Sequence, residues 1–224
     1  MALRRTLVLF RAHWRHLLAV SFSVYAGLGL VGVLLILLLD SAGVVFATLL
    51  LYTGMYWTQG AVARAVEDVR DGRADLTIRE TLRTVGPRLN RLTFTSILVT
   101  IGVWVGLFVL VLPGLFLLVR WSMVGQVIVL EGTGTVESLR RSWALVRGES
   151  FRVLGLIVVS SLVLLVGYIG AAILAGFASL VGGWGVLVWI VVLFVAMTPA
   201  VAFVAVLWSV LYFELRSRRE PAAP

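Results

Sequence analysis

Cysteine is absent from this 224-residue chain, and so is lysine. The first absence excludes disulfides, thiolate metal sites and cysteine nucleophiles. The second means only that all 19 basic residues are arginine. Charge as a whole is scarce. At 13% charged residues the chain carries about half of the roughly 25% typical of soluble domains. Histidine is nearly missing too. His13 and His16 are the only two, and both sit among arginines near the start, where a solvated polar face accounts for them. The apolar runs contain no histidine, and Ser160, Ser161 and Ser209 have no candidate base, so the nucleophile–base pair of an intramembrane hydrolase is not found in the spans.

What fills the chain instead is hydrocarbon: 61% of residues are hydrophobic and the mean hydropathy is +1.06. Uncharged runs cover 17–39, 41–63, 92–119, 121–130 and 153–213, and a bilayer crossing takes about 20 apolar residues. The expected class is therefore an all-α integral membrane protein. Arg4 and Arg5 ahead of an apolar run imitate a secretion signal, but 17–39 is longer than the usual signal core and further spans follow. An uncleaved first span is expected. The net charge of +8 and the pI near 11.1 would suggest nucleic acid in a soluble chain. Here the commoner cause is the retention of arginine in cytoplasmic loops, against anionic headgroups. No nucleic-acid partner is expected.

Arginine placement sorts the connections. Four arginines precede the first run, seven fall between Arg64 and Arg91, four fill 140–152, and Arg216, Arg218 and Arg219 close the chain. The other connections hold Asp40, the LPG at 112–114 and the GGWG at 182–185, without one arginine. The positive-inside bias then places both termini and both long polar stretches in the cytoplasm, in the inner (plasma) membrane. Six transmembrane helices in three hairpins satisfy this: 17–39 with 42–63, 92–112 with 114–130, and 153–181 with 185–213. The 114–130 segment is short enough to enter and return, and Pro199 should kink or break the last helix. Gly102 and Gly106, and Gly27, Gly29 and Gly32, suit close helix contact.

Each hairpin is preceded by a basic amphipathic segment. Leu3, Leu7, Phe10, Trp14 and Leu17 step by 4, 3, 4, 3; so do Ile78, Leu82, Val85, Leu89 and Leu92; and Val136, Leu139, Trp143 and Val146 step by 3, 4, 3. Leu3–Thr6 lies over Leu139–Ser142, and Arg11 over Arg147. Thr77 and Glu80 form a capping box, Asp71–Gly72 a helix stop, and Pro87 a bend. The chain reads as one membrane domain, 1–224, of three units at about 1–63, 76–130 and 135–213, with a basic tail from 214. The basic helices are expected in the cytoplasmic headgroup layer.

The runs QGAVARAVEDVRDGRADLTIRETL, LPGLFLLVRWSMVGQVIVLEG and TVESLRRSWALVRGESFRVLG resemble, in order, the membrane domain of the bacterial glycerophosphoryl diester phosphodiesterase family. The resemblance runs from about Leu3 to Glu214. It implies a multi-span helical domain, here free-standing, without the catalytic domain whose activity gives that family its name. The carboxylate and histidine set of such an enzyme is not found, and neither is a four-aspartate site. Asp68, Asp71 and Gly72 resemble the start of the CDP-alcohol phosphotransferase signature, but no aspartate follows Asp75. No catalytic residue, metal or cofactor is expected.

Arg120 is the sharpest residue. It stands in an apolar segment, where an arginine near the bilayer centre costs about 2.5–3.5 kcal/mol on the lenient scale. Glu131 is the nearest acid in the same hairpin, yet eleven residues of straight helix would separate the two by about 16 Å. Arg120 is expected to meet a phosphate or a buried acid, or to reach outward with Trp121 at the interface. Arg140, Arg141 and Arg147, with Arg4 and Arg11 in the equivalent register, are expected to hold anionic headgroups. The expected function is non-catalytic engagement of membrane lipids or of a membrane-protein partner. Transport of a lipid or small phosphate compound is the alternative.

Overall fold

The computed structural model describes residues 2–70, 77–179 and 185–220, and among these every regular element is helical. In chain order they are α1 (Ala2–Arg70), α2 (Ile78–Val85), a 3₁₀ turn (Gly86–Arg88), α3 (Leu89–Val109), α4 (Val111–Arg120), α5 (Val124–Glu131), α6 (Thr135–Val146), α7 (Ser150–Ser179) and α8 (Gly185–Arg219). Five described segments are long and apolar enough to cross a membrane: 4–47, 78–109, 111–131, 150–174 and 194–219. The Asp71–Gly72 stop and most of the 182–185 turn lie outside the described residues.

The 69 residues of α1 are not one rod. Its path leaves helical geometry at His13 (φ −126°, ψ 23°) and at Asp40 (φ 49°, ψ −123°). At Asp40 the chain doubles back, because Gly32 then faces Ala47 and Gly54 faces Leu28. A Cβ on Gly43 would land on the Leu35 carbonyl oxygen, so glycine is what lets the two arms close so near the turn. Asp40 itself holds a positive φ that a side chain disfavours. Asp40→Gly is expected to raise the melting temperature, equivalent to about 1 kcal/mol of relieved strain. Thermal unfolding in detergent checks this, and a lower melting temperature would show that Asp40 contributes more by its side chain than it costs by its backbone.

The second return comes at Leu110, whose extended backbone (φ −161°, ψ 141°) separates α3 from α4. It precedes the LPG motif by two residues. Pro113 falls in the first turn of α4, where its missing N–H costs nothing, so the motif starts the returning helix instead of making the turn. Gly106 meets Gly114 across this turn, and Gly102 takes the ring of Trp121; the GxxxG serves contact within the chain. Trp121 therefore packs inward against α3. At Pro199 the prediction of a break fails, since α8 runs helical through it from Gly185 to Arg219. Gly167 of α7 lies against Ala200 of α8.

The core is built around the second half of α8, where Val201, Ala202 and every residue from Val204 to Tyr212 are buried. The arms of α1 pack on it from one side, with Tyr25 edge-on to Phe194 at 5.8 Å and Phe10 edge-on to Phe203 at 5.7 Å. α5 is inserted beside them, buried from Val124 to Val129. Along the rest of the surface Leu38, Trp104, Phe108, Leu112 and Val166 stand exposed, which water would penalise and lipid would not.

The three basic segments share a register. Thr6, Thr81 and Ser142 are each fully buried. Seven residues on, the helix is interrupted in each case: non-helical at His13, 3₁₀ through Arg88, and unwound at Glu149. Four residues later Leu17, Leu92 and Val153 are buried again. The basic ends also meet. Arg218 pairs with Glu149, Arg152 with Glu214, and Arg219 donates to the Arg147 carbonyl, while Arg5 and Leu9 share a small cleft with Val210, Phe213, Glu214 and Ser217.

Two of the apolar stripes stay largely on the outside of the fold. In the first segment Phe10 and Leu17 turn inward, but Leu7 and Trp14 are exposed and Thr6 takes the buried place. In α6 the buried positions are Ser138, Ser142, Leu145 and Val146, while Val136 and Trp143 face out. The reason lies in the interruption between α4 and α5. It frees the Arg120 carbonyl and the Met123 N–H from intrahelical partners, and buried main-chain groups need substitutes. The Ser142 hydroxyl supplies both, donating to Arg120 O at 2.8 Å and accepting from Met123 N at 3.2 Å. A serine seam draws α6 in, and the apolar residues beside it are left for the surroundings. In the middle segment the prediction stands: Thr77 and Glu80 form the reciprocal cap on α2, Pro87 sits in the 3₁₀ turn, and Val85 and Leu92 are buried.

Candidate functional site

The site grows from the same interruption. Because α4 stops at Arg120 and α6 crosses beside it, the Arg120 side chain leaves α4 against two rings that touch each other. Its guanidinium carbon is 5.0 Å from the centre of Phe116, one turn earlier on α4, and 5.1 Å from the centre of Trp143 on α6. The two rings stand edge to face, 5.2 Å apart. Each cation–π contact contributes about 0.5–2 kcal/mol depending on how dry it is. The rings attract the cation but supply no hydrogen-bond acceptor to its N–H groups. Nε and Nη1 are buried without a hydrogen-bond partner among the described residues, and an unmet buried donor costs about 1–3 kcal/mol.

Glu131 does not meet Arg120. It closes α5, where Gly132 follows at φ 70° as a left-handed cap. There it accepts the Nε–H of Arg141 through both oxygens, at 3.2 and 2.9 Å, and the hydroxyl of Tyr212 at 2.7 Å. Arg141 also pairs with Glu220, which Arg216 reaches at 3.2 Å. The Arg141 and Arg216 hydrogen bonds hold the Glu220 carboxyl below the usual carboxylate range. α5, α6 and α8 are thus tied by one charged knot. Tyr212 on α8 and Glu220, the residue after its end, escaped the sequence reading. They lie 81 and 79 residues from their partners, and no local spacing connects them.

The arginines of α6 divide accordingly. Arg141 turns inward and is neutralised by acids of its own chain. Arg140 on α6 and Arg147, the residue after its end, are exposed three residues before and four after Trp143, and neither side chain has a protein acid among the described residues. Arg4 and Arg11 are exposed in the corresponding places of the first segment, likewise without an acid among the described residues. Beyond the end of α6 Phe151 is 91% exposed, an aromatic with no protein to cover it.

Composition and fold together define an all-helical membrane protein. The family profile described as a domain of unknown function, DUF7847, matches residues 83–215, and the chain belongs to that family. The matched span takes in Arg120 with its two rings and the contacts among Glu131, Arg141 and Tyr212, and omits Arg216, Glu220 and all of α1. No curated protein matches the chain, and no solved structure does.

Proposed function

We propose that this protein is a non-catalytic integral membrane protein that engages anionic phospholipid headgroups through its arginine-bearing segments. The observation that carries the reading is the division on α6. One arginine is consumed by protein acids, while Arg140 and Arg147 stand exposed around an exposed tryptophan. Unpaired arginines beside Trp and Phe fit a bilayer interface, where rings sit at the headgroup level and cations meet phosphate.

The common register of the three interruptions supports three units of one design, each a basic segment followed by an outgoing and a returning helix, six crossings in all. The meeting of the third interruption, and of Arg5 in the first segment, with the C-terminal end of α8 supports a single basic face. By the positive-inside rule that face is cytoplasmic, with both termini on it, in the inner membrane. Resemblance to the membrane domain of glycerophosphoryl diester phosphodiesterases agrees with such a fold and assigns no reaction to it.

The test is lipid retention. Purified in mild detergent and weighed intact, the protein should keep anionic phospholipid in preference to a zwitterionic one. Replacing Arg140 and Arg147 together by alanine should lower that preference about thirtyfold, at about 1 kcal/mol per arginine near an anionic surface. Equal retention of both lipid classes by the unmodified protein, or an unchanged preference in the double variant, would end the headgroup reading.

A further inference from the structure

The stripe that leads to Arg120 has the profile of an amphiphile. Leu112, Phe116 and Arg120 follow one another at four-residue steps along α4, so they share one face. Leu112 is 78% and Phe116 47% exposed, and the face ends at a guanidinium that lies against two rings and whose Nε and Nη1 lack an acceptor among the described residues. No acid among the described residues pairs with Arg120; Glu131, the nearest in its hairpin, is held by Arg141 and Tyr212. Arg140 and Arg147 flank Trp143 at three and four residues and are exposed, adding positive charge around the same ring.

We propose that Arg120, set against Phe116 and Trp143, is a discrete binding site for one phosphate group. A planar guanidinium offers paired N–H donors, the geometry that suits phosphate oxygens. More than one cation nearby favours an anion that can carry more than one charge. The rings pre-organise the donor and remove most of the cost of freezing an arginine side chain on binding. The apolar face above Arg120 makes a lipid the natural bearer, its chains along Leu112 and Phe116 and its phosphate at the guanidinium. This inference rests on the headgroup reading and sharpens it: among many arginines at an interface, one is a stoichiometric site.

The full chain in nanodiscs of zwitterionic lipid is titrated with phosphatidate, a diacyl phosphate monoester, and separately with inorganic phosphate. Phosphatidate is expected to bind at one saturable site. Arg120→Gln should weaken that binding ten- to a hundredfold, the range for losing hydrogen bonds to a charged group, and Trp143→Leu should weaken it by a smaller factor. Competition by millimolar inorganic phosphate would support a phosphate site that the free anion also fills; failure of inorganic phosphate to compete would support the lipid as bearer. Should Arg120→Gln not fold, the unmodified protein is treated with an arginine-selective dicarbonyl reagent and mapped by mass. Phosphatidate must then protect Arg120. Unchanged binding in Arg120→Gln, or no protection, overturns the site. If Arg140 and Arg147 still govern retention in that case, the broader headgroup function survives without it.

Discussion

Replacing Glu131 by glutamine is expected to lower the stability of the protein by about 1–3 kcal/mol and to loosen α6 from α8. The carboxylate accepts from Arg141 and Tyr212 at once, and its side chain is only 14% exposed against 28% for Arg141. Removing one member of a fully buried pair costs about 3–5 kcal/mol, because the other charge is left uncompensated. Partial exposure of both groups, and the second contact of Arg141 with Glu220, bring the figure down. Glutamine fills the same space, but it carries no charge and presents a donor where the carboxylate accepted. Hydrogen exchange should quicken along 135–146 before the rest of the chain responds. A double-mutant cycle with Tyr212→Phe should show a coupling of about 0.5 kcal/mol or more, as residues of one network do. Strictly additive effects and unchanged exchange in α6 would mean that the knot does not hold the helices together.

The larger structural loss is expected from Gly114→Val. A Cβ at this position would lie 2.5 Å from the Leu107 main-chain nitrogen and equally close to the Leu107 side chain. A flexible side chain can move away, but backbone inside a helix cannot, so α3 and α4 must separate. Overpacking costs about 1–3 kcal/mol where neighbours can yield and more where they cannot; this case belongs at the upper end. Alanine brings the same first carbon and should give most of the effect. Because Phe116 and Arg120 follow within two turns on α4, phosphate binding should fall together with the melting temperature. A Gly114→Val protein that melts with the unmodified one would mean that the turn at Leu110 is looser than this packing requires.

Several parts of this arrangement were readable residue by residue. The Thr77–Glu80 cap was, because a capping box is local: both hydrogen bonds close within three residues. The recurrence of the basic segment was too, because a helical register survives wherever the helix is placed. The turn before α4 was misplaced by two residues, since a proline–glycine pair reads equally well as a turn and as the first turn of a helix. The side of α6 that meets protein was not readable. Periodicity finds the apolar side of a helix and does not say whether protein or lipid covers it. Where the surroundings are lipid, apolar residues gain nothing by turning inward, and the serines that can satisfy an open main chain decide the orientation instead.

By itself the sequence determined that this chain is helical, apolar enough for a bilayer, and provided with arginine at regular places, since composition and spacing are properties of the chain alone. Only the tertiary structure decided what each arginine meets. It gave Arg141 to Glu131 and Glu220, set Arg120 against Phe116 and Trp143, and left Arg140 and Arg147 exposed. A charge is satisfied or left open by groups that the fold brings from far along the chain, and no spacing within one helix contains that information.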